Sequence, residues 1–275
     1  MSFSPDQSGK VDVPGATLFW ESTGRGHALV LVHAGICDQS MWDDDVPSFA
    51  GGHQVITYDT RGYGATRSTD VAFSNRADLI AVLDHLGIEH ATLLGCSRGG
   101  SIVLDTTLEY PDRVSALIWV NGGLGGMEHE STPEEMALFE TEDPMVEAKD
   151  WTGLADLDVR IWVDGVGQSA DRVPARIRER VRAMSLANYI AEHPFGDPIV
   201  LDPPAAGRLG EIAVPTLIIE GELDPSDTHA AAEALANGIA GARRVMMKGV
   251  AHLPNLERPD DFRRIVRDFL TSIGA

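Results

Sequence analysis

Leu93-Leu94-Gly95-Cys96-Ser97-Arg98-Gly99-Gly100 is the stretch from which the rest of the chain is read. It closes the apolar run Ala91–Cys96, expected as a buried strand, and opens a helical pattern that stops at Pro111. A Gly-x-Ser-x-Gly motif between strand and helix holds its serine on a sharp, strained turn. Small residues two before and two after let neighbouring backbone pass without a clash. The hydroxyl then stands at a helix N-terminus, where N–H groups favour developing negative charge. Cys96 is a rival nucleophile, but a frame centred on it needs glycines at 94 and 98. Those positions are Leu94 and Arg98. Ser97 is therefore the candidate nucleophile, and Cys96 a passenger beside it.

The bulk numbers bound what surrounds this turn. A chain of 275 residues suits one large domain or a domain with an insertion. Its 43% hydrophobic and 23% charged residues are an ordinary globular balance. No run approaches 18 apolar residues, so no membrane span is expected. The start, Met1-Ser-Phe-Ser-Pro-Asp, has neither a basic nor an apolar leader region, and a cytoplasmic protein is expected. The net charge of −20, from 22 basic and 42 acidic residues, disfavours nucleic acid and anionic membranes as partners. Two cysteines, Cys37 and Cys96, make no disulfide framework. The nine histidines are scattered, and His85 and His90, five apart, do not share a helical face. No metal site and no cofactor are expected.

Working outward from the elbow, strands and helices alternate. Strands are expected at 11–13 and 16–21, at 28–33, at 54–58, at Ala91–Cys96, at Val114–Val120, at 216–220 and at 244–247. Helices are expected at 78–86, 102–109 and 228–239. A last helix starts at Pro259 and carries Phe262, Ile265, Val266, Phe269 and Leu270 at i, i+3, i+4, i+7 and i+8. This is an α/β pattern: a mainly parallel sheet of eight strands with helices on both faces. The alternation stops after Val120, where Asn121-Gly-Gly-Leu-Gly-Gly126 reads as a flexible hinge. From there the pattern is helical, with Ile177, Val181 and Met184 on one face and an Arg172-to-Arg182 stripe read as solvated. Residues 122–210 are read as an inserted helical cap on a core of 1–121 and 211–275; a long irregular part of the main domain is the alternative. All three candidate catalytic residues lie outside 122–210, so the chemistry is expected not to depend on it.

A serine hydroxyl is a poor nucleophile at neutral pH and needs a base held by an acid. With this elbow, the partners follow in the order Ser, Asp or Glu, His. Asp224, in Gly221-Glu-Leu-Asp224-Pro after the strand at 216–220, is the candidate acid. Glu222 and Asp227 are alternatives in the same loop. His252, in Gly249-Val-Ala-His252-Leu-Pro-Asn-Leu-Glu-Arg-Pro, is the candidate base. Both lie beyond carboxyl ends of strands, where sites of such sheets belong. An oxyanion hole needs two backbone donors. One is the N–H of Arg98. The other is assigned to Gly35 in Leu31-Val-His33-Ala34-Gly35-Ile36, with Ala34 and Ile36 as alternatives.

Taken together, these segments resemble the α/β-hydrolase superfamily. The likeness is greatest to its lidded esterases, enol-lactonases and cofactor-free haloperoxidase-like enzymes. It spans roughly residues 16–121 and 212–273. It rests on His33-Ala-Gly35, Asp59-Thr-Arg61-Gly-Tyr-Gly64, Gly95-Cys-Ser97-Arg-Gly99-Gly100, Pro111-Asp-Arg-Val114, Asp224 and His252-Leu-Pro-Asn-Leu-Glu-Arg-Pro259. Two residues depart from the pattern: Ala34 replaces a usual glycine, and Arg98 replaces the common methionine or glutamine. The Arg98 side chain is expected in a surface salt bridge, with an acidic substrate group as the alternative. Relatives with an aspartate nucleophile are argued against by Ser97.

The resemblance implies the α/β-hydrolase fold. It also implies a serine hydrolase that cleaves a small-molecule carboxylic ester or lactone through an acyl-enzyme. Carbon–carbon hydrolysis or perhydrolysis on the same triad stays open, as does a slow-turnover ligand sensor. So does a homodimer. Trp42, Trp151 and Trp162 are candidate substrate contacts, weighed against plain packing. Gly24-Arg-Gly26 lacks the rest of a dinucleotide fingerprint, and no Gly-Lys-Ser/Thr exists.

Overall fold

The computed structural model describes residues 4–191 and 195–275. The reading of the first six residues therefore lies partly outside the described residues, as do positions 192–194 of the proposed cap. The strands are β1 (Gln7–Val13), β2 (Ala16–Thr23), β3 (His27–Val32), β4 (His53–Tyr58), β5 (Arg67–Ser68), β6 (Ala91–Cys96), β7 (Val114–Val120), β8 (Thr216–Gly221) and β9 (Arg243–Met247). They form one sheet in the order β1-β2-β4-β3-β6-β7-β8-β9, with β5 paired to β2. Every pairing from β4 through β3 to β9 is parallel, and β2 pairs antiparallel with β1, β4 and β5. The sheet thus has nine strands where eight are expected. The extra one is two residues long, too short to leave a period in the sequence.

Side-chain alternation explains why the inner strands read as continuous apolar runs. Val30, Leu93, Leu117 and Ile218 point into one core layer. Their neighbours Leu29, Leu31, Leu94, Ile118, Leu217 and Ile219 point into the other. A strand buried on both faces has no polar side to show. The short α1 (Val46–Phe49) packs into the second layer. The first layer is covered by α2 (Asn75–His85), α3 (Arg98–Glu109) and, after β8, a helix over Ser226–Gly238. The second is covered also by the C-terminal helix Pro259–Ile273, whose five spaced apolar residues are all buried, as the periodicity predicts. Burying each is worth roughly 1.5–3 kcal/mol.

Helices α2 and α3 start earlier than their periodicity suggests. Ser74 caps α2 by accepting a hydrogen bond from Ala77 N–H at 3.2 Å. The α3 helix begins at Arg98, on the residue after the elbow serine. Between β7 and β8 the described residues form helices, turns and loops. These include Pro133–Phe139, Glu142–Glu147, Trp151–Asp158, a π-helical turn over Val159–Asp164, and Ala175–Ile190. Ile177, Val181 and Met184 are buried as expected. The arginine stripe is not simply solvated. Arg178 pairs with Asp164, Arg180 with Asp44, Arg182 with Asp156 and Arg172 with Glu257. The glycine-rich segment after β7 is also tied down. Gly122 packs on Trp119, and Gly123 exchanges hydrogen bonds with the Ser101 hydroxyl at 3.0 and 3.1 Å. No helix among the described residues is long and apolar enough to cross a membrane.

Candidate active site

Ser97 sits at φ 56°, ψ −123°, a left-handed conformation that an L-residue adopts only when its surroundings enforce it. The enforcement is visible. A Cβ on Gly95 would come within 2.1 Å of the Gly99 carbonyl oxygen. One on Gly99 would come within 2.3 Å of the Val32 carbonyl oxygen. The Ser97 N–H donates to Val120 O at 2.8 Å, which fixes the turn against the end of β7. Both glycines of the motif are therefore needed for the backbone to close. Cys96 is fully buried, and burial pushes its thiol well above the usual range, so it is chemically quiet.

His252 lies in the loop after β9 and is 4% exposed. Its Nδ1 stands 2.8 and 2.9 Å from the two carboxylate oxygens of Asp224. Asp224 follows β8 and its side chain is wholly enclosed. Burial raises its carboxyl above the ordinary carboxylate value, and the adjacent His252 pulls it back down. With Nδ1 engaged by the carboxylate, Nε2 is left as the lone-pair nitrogen. The two alternative acids are occupied elsewhere. Glu222 pairs with Lys248 at 2.7 Å and accepts from Gly249 N–H at 2.9 Å. The hydrogen bond from Lys248 holds its carboxyl below the usual range. Asp227 accepts from Thr228 N–H at the start of its own helix.

The loop after β3 passes beside Arg98. His33 is fully buried, its Nδ1 at 2.8 Å from Ala34 O and its Nε2 accepting from Thr60 N–H at 3.1 Å. Burial lowers its pKa to about 4; the Ala34 carbonyl opposes this and the charge of Arg98 adds to it. The ring is neutral and fixes the loop. Ala34 N–H is spent on the Met41 sulfur at 3.3 Å. The N–H groups of Gly35, Ile36 and Arg98 find no acceptor among the described residues. A Cβ on Gly35 would lie 3.6 Å from Arg98 Cβ, so the two backbones are close neighbours.

The Arg98 side chain departs from expectation. It has no carboxylate partner among the described residues. Nη1 donates to the Thr60 hydroxyl at 2.6 Å and Nη2 to Asn75 Oδ1 at 3.1 Å. Its guanidinium lies over Tyr63 and Phe195, at 4.9 and 5.4 Å from the ring centroids. Beside it, a cavity of about 760 Å³ is lined by Arg98, Ser101, Ile102, Ile199 and Pro204 among others.

The three tryptophans separate. Trp42 is fully buried in the core, stacked on Phe262, and offers a substrate no surface. Trp151 stacks on Tyr189 at 5.9 Å. Trp162 lies against the His252 imidazole, centroids 4.5 Å apart, and stacks on Phe139 at 6.2 Å. The sequence reading missed Asn121. Its Nδ2 donates to Ala251 O at 3.2 Å and His252 O at 2.9 Å, and its Oδ1 accepts from Gly221 N–H at 2.9 Å. The available signal was its place, a polar residue at the carboxyl end of a central strand.

Known proteins bear on this geometry. Over 272 residues the chain is 29% identical to a 2-hydroxy-6-oxononadienedioate/2-hydroxy-6-oxononatrienedioate hydrolase of Paraburkholderia phymatum, covering 91% of this chain and 90% of that one. It is 27% identical over 267 residues to 3-oxoadipate enol-lactonase 1 of Acinetobacter baylyi, covering 94% and 95%. Among solved structures, the enol-lactonase from Burkholderia xenovorans LB400 superposes with a TM-score of 0.78 at 25% identity, over 96% of this chain and all of the other. A family model described as the alpha/beta hydrolase family matches residues 29–265. That stretch runs from within β3 to within the C-terminal helix and takes in the elbow, Asp224 and His252, and the chain is a hydrolase of the alpha/beta hydrolase family.

Proposed function

We propose that this hydrolase cleaves a carboxylic ester or lactone by a Ser-His-Asp mechanism. The observation that carries the reading is the His252 Nδ1–Asp224 pair, on a loop whose His252 carbonyl lies 3.6 Å from the sulfur of Cys96, the residue before a serine held at φ 56°. His252 Nε2 takes the proton of Ser97 as Oγ attacks the carbonyl carbon. The N–H groups of Arg98 and Gly35 receive the oxyanion. Collapse expels the alcohol, which takes the proton from His252 and leaves an acyl-enzyme. Water, deprotonated by the same nitrogen, then releases the acid. Asp224 holds the imidazole tautomer and stabilises its charged form. The structure gives no hydrogen bond between Ser97 Oγ and His252 Nε2; that contact forms when substrate binds, as such bonds are commonly long in a free enzyme. Residues 122–210 act as the cap over this site.

A second reading is favoured by one observation, the 29% identity to a hydrolase named for a 2-hydroxy-6-oxo-dienedioate. The same residues serve carbon–carbon cleavage if the serine or an activated water attacks a ketone. Fluorophosphonate labelling followed by a panel of esters, lactones and vinylogous diketones separates the readings. The expected result is label on Ser97 alone, a loss on the order of 10³–10⁶ in kcat for Ser97→Ala, and turnover of esters or lactones above about 1 s⁻¹. Label on another serine overturns the nucleophile. Turnover of the diketones alone moves the assignment to the second reading.

A further inference from the structure

The part of the chain between β7 and β8 reaches into the seat of His252. The backbone N–H of His252 donates to the carbonyl of Trp162 at 3.2 Å, and the Trp162 ring lies against the imidazole. Trp162 belongs to the π-helical turn Val159–Asp164, which ends at Gly165 with φ 90°. The last carbonyls of a helical segment have no partner within it and must find one elsewhere. Here Trp162 O takes His252 N–H. Arg172 takes the next two, with Nη2 donating to Val163 O at 2.5 Å and Nε to Asp164 O at 2.8 Å.

The same guanidinium holds the other side of the seam. Nη1 donates to Gly249 O at 3.0 Å and to the carboxylate of Glu257. Glu257 in turn accepts the N–H of Ala251 at 2.9 Å, the residue before His252. Arg172 and Glu257 have side chains only 18% and 4% exposed, so this is no loose surface pair. The loop 249–252 is thus bonded at Gly249 O, Ala251 N–H and His252 N–H to Arg172, to its partner Glu257 and to the π-turn.

We propose that Arg172 is a positioning residue for the general base: it locks the π-turn bearing Trp162 onto the loop bearing His252. This rests on the triad reading above. The chemistry then depends on residues 159–172, which supply no member of the triad or of the oxyanion hole. The physical reason is geometric. A base displaced by about 1 Å costs on the order of 10²-fold in rate, and removing Arg172 frees the carbonyls that fix the imidazole's wall. The turn serves this purpose because its last three carbonyls, 162 to 164, have no partner inside it and bond beyond the helix.

Arg172→Met keeps the stem and removes the donors, Arg172→Lys keeps one donor and the charge, and Glu257→Gln weakens the shared partner. Each is measured with active sites counted by stoichiometric fluorophosphonate, so that misfolded protein drops out. Arg172→Met is expected to lower kcat per active site by about 10–100-fold with KM for a short ester within about threefold of the parent. The low-field imidazole N–H resonance of His252 should shift or broaden. Arg172→Lys should recover part of the rate, and Glu257→Gln should fall between parent and Arg172→Met. If Arg172→Met keeps the parent kcat per active site and the parent resonance, the proposal is overturned. Ser97→Ala, run alongside, separates the two ideas: full activity there sinks the triad, whereas an inactive Ser97→Ala with an unaffected Arg172→Met sinks only the positioning role.

Discussion

Asn121 binds the carbonyl of His252 through its side-chain amide at 2.9 Å while its own backbone sits at φ 47°. One buried side chain thereby joins the ends of β7 and β8 to the loop of the proposed base. Asparagine is among the few residues that tolerate the left-handed region. It also supplies donors on one side and an acceptor on the other. Asn121→Asp keeps the shape but aims a carboxylate oxygen at two carbonyls. Relative to the parent, activity of that variant is expected to fall about 10–100-fold at pH 8 and the deficit to narrow toward pH 5, where a protonated carboxyl donates again. Each orphaned buried carbonyl costs about 1–3 kcal/mol, so its Tm should also fall. A pH–rate profile of variant against parent checks this, and parallel profiles refute it.

Asp224 and Glu222 are two residues apart, yet only one touches the imidazole. Asp224→Asn is expected to lower kcat by roughly 10⁴, because the amide favours the wrong imidazole tautomer. Glu222→Gln removes an exposed pairing with Lys248 and should cost under about tenfold. Steady-state kinetics on one ester ranks them, and the reverse order moves the acid to Glu222.

What the sequence made legible follows from how locally each feature is encoded. The elbow needs Gly95 and Gly99 because backbone passes within about 2 Å of where a Cβ would stand, so the constraint is written into a five-residue word. The C-terminal helix shows its buried face at regular spacing. By contrast, Asn121, Trp162 and Arg172 act on backbone groups of residues 77 to 131 positions away. No periodicity carries such contacts, which is why Asn121 read as part of a hinge and Arg172 as part of a solvated stripe. The two-residue strand β5 escaped for the same reason: its pairing with β2 is non-local.

Burial also sets the pH dependence of stability. It pushes Asp43, Asp45 and Asp105 up to about 6 and Asp59 to about 7, from 3.8. Between those limits the folded chain holds protons that the unfolded chain has released, so these groups favour folding at low pH and lose that contribution as pH rises through 6–7. His33, lowered to about 4, acts in the opposite sense between pH 4 and 6.5 but is outnumbered. The charge of −20 adds repulsion that acid relieves. Calorimetry should therefore find a higher Tm at pH 5 than at pH 8. Asp105 has no hydrogen-bond partner among the described residues, so Asp105→Asn should raise Tm at pH 8 and flatten the slope. A Tm that climbs steadily from pH 5 to 8 contradicts the argument.

Specificity is expected to lie in two aromatic stacks. Phe139 stacks on Trp162, which lies on the imidazole, and Tyr189 stacks on Trp151 while its hydroxyl donates to Asp158 at 3.1 Å. Phe139 belongs to the short helix Pro133–Phe139, capped at Thr132 by a reciprocal pair with Glu135. Glu135 also accepts from the N–H of Ser226 at 2.7 Å and from its hydroxyl at 2.5 Å, two residues past Asp224. That anchoring fixes the Phe139 ring relative to the base. Removing the ring should leave serine reactivity intact and change the space above the site, which alters discrimination between substrates and not the chemical step. One methylene in an apolar pocket is worth about 1–3 kcal/mol, so Phe139→Ala should shift the ratio of kcat/KM for long and short acyl esters by roughly 10-fold or more. Tyr189→Phe keeps the stack and loses only the hydrogen bond to Asp158, so its ratio should stay within about threefold of the parent. Fluorophosphonate labelling at the parent rate in both variants shows that the nucleophile is untouched. If Phe139→Ala keeps the parent's chain-length preference, the aromatic stack on Trp162 does not face substrate, and residues 122–210 lose their proposed part in selecting it.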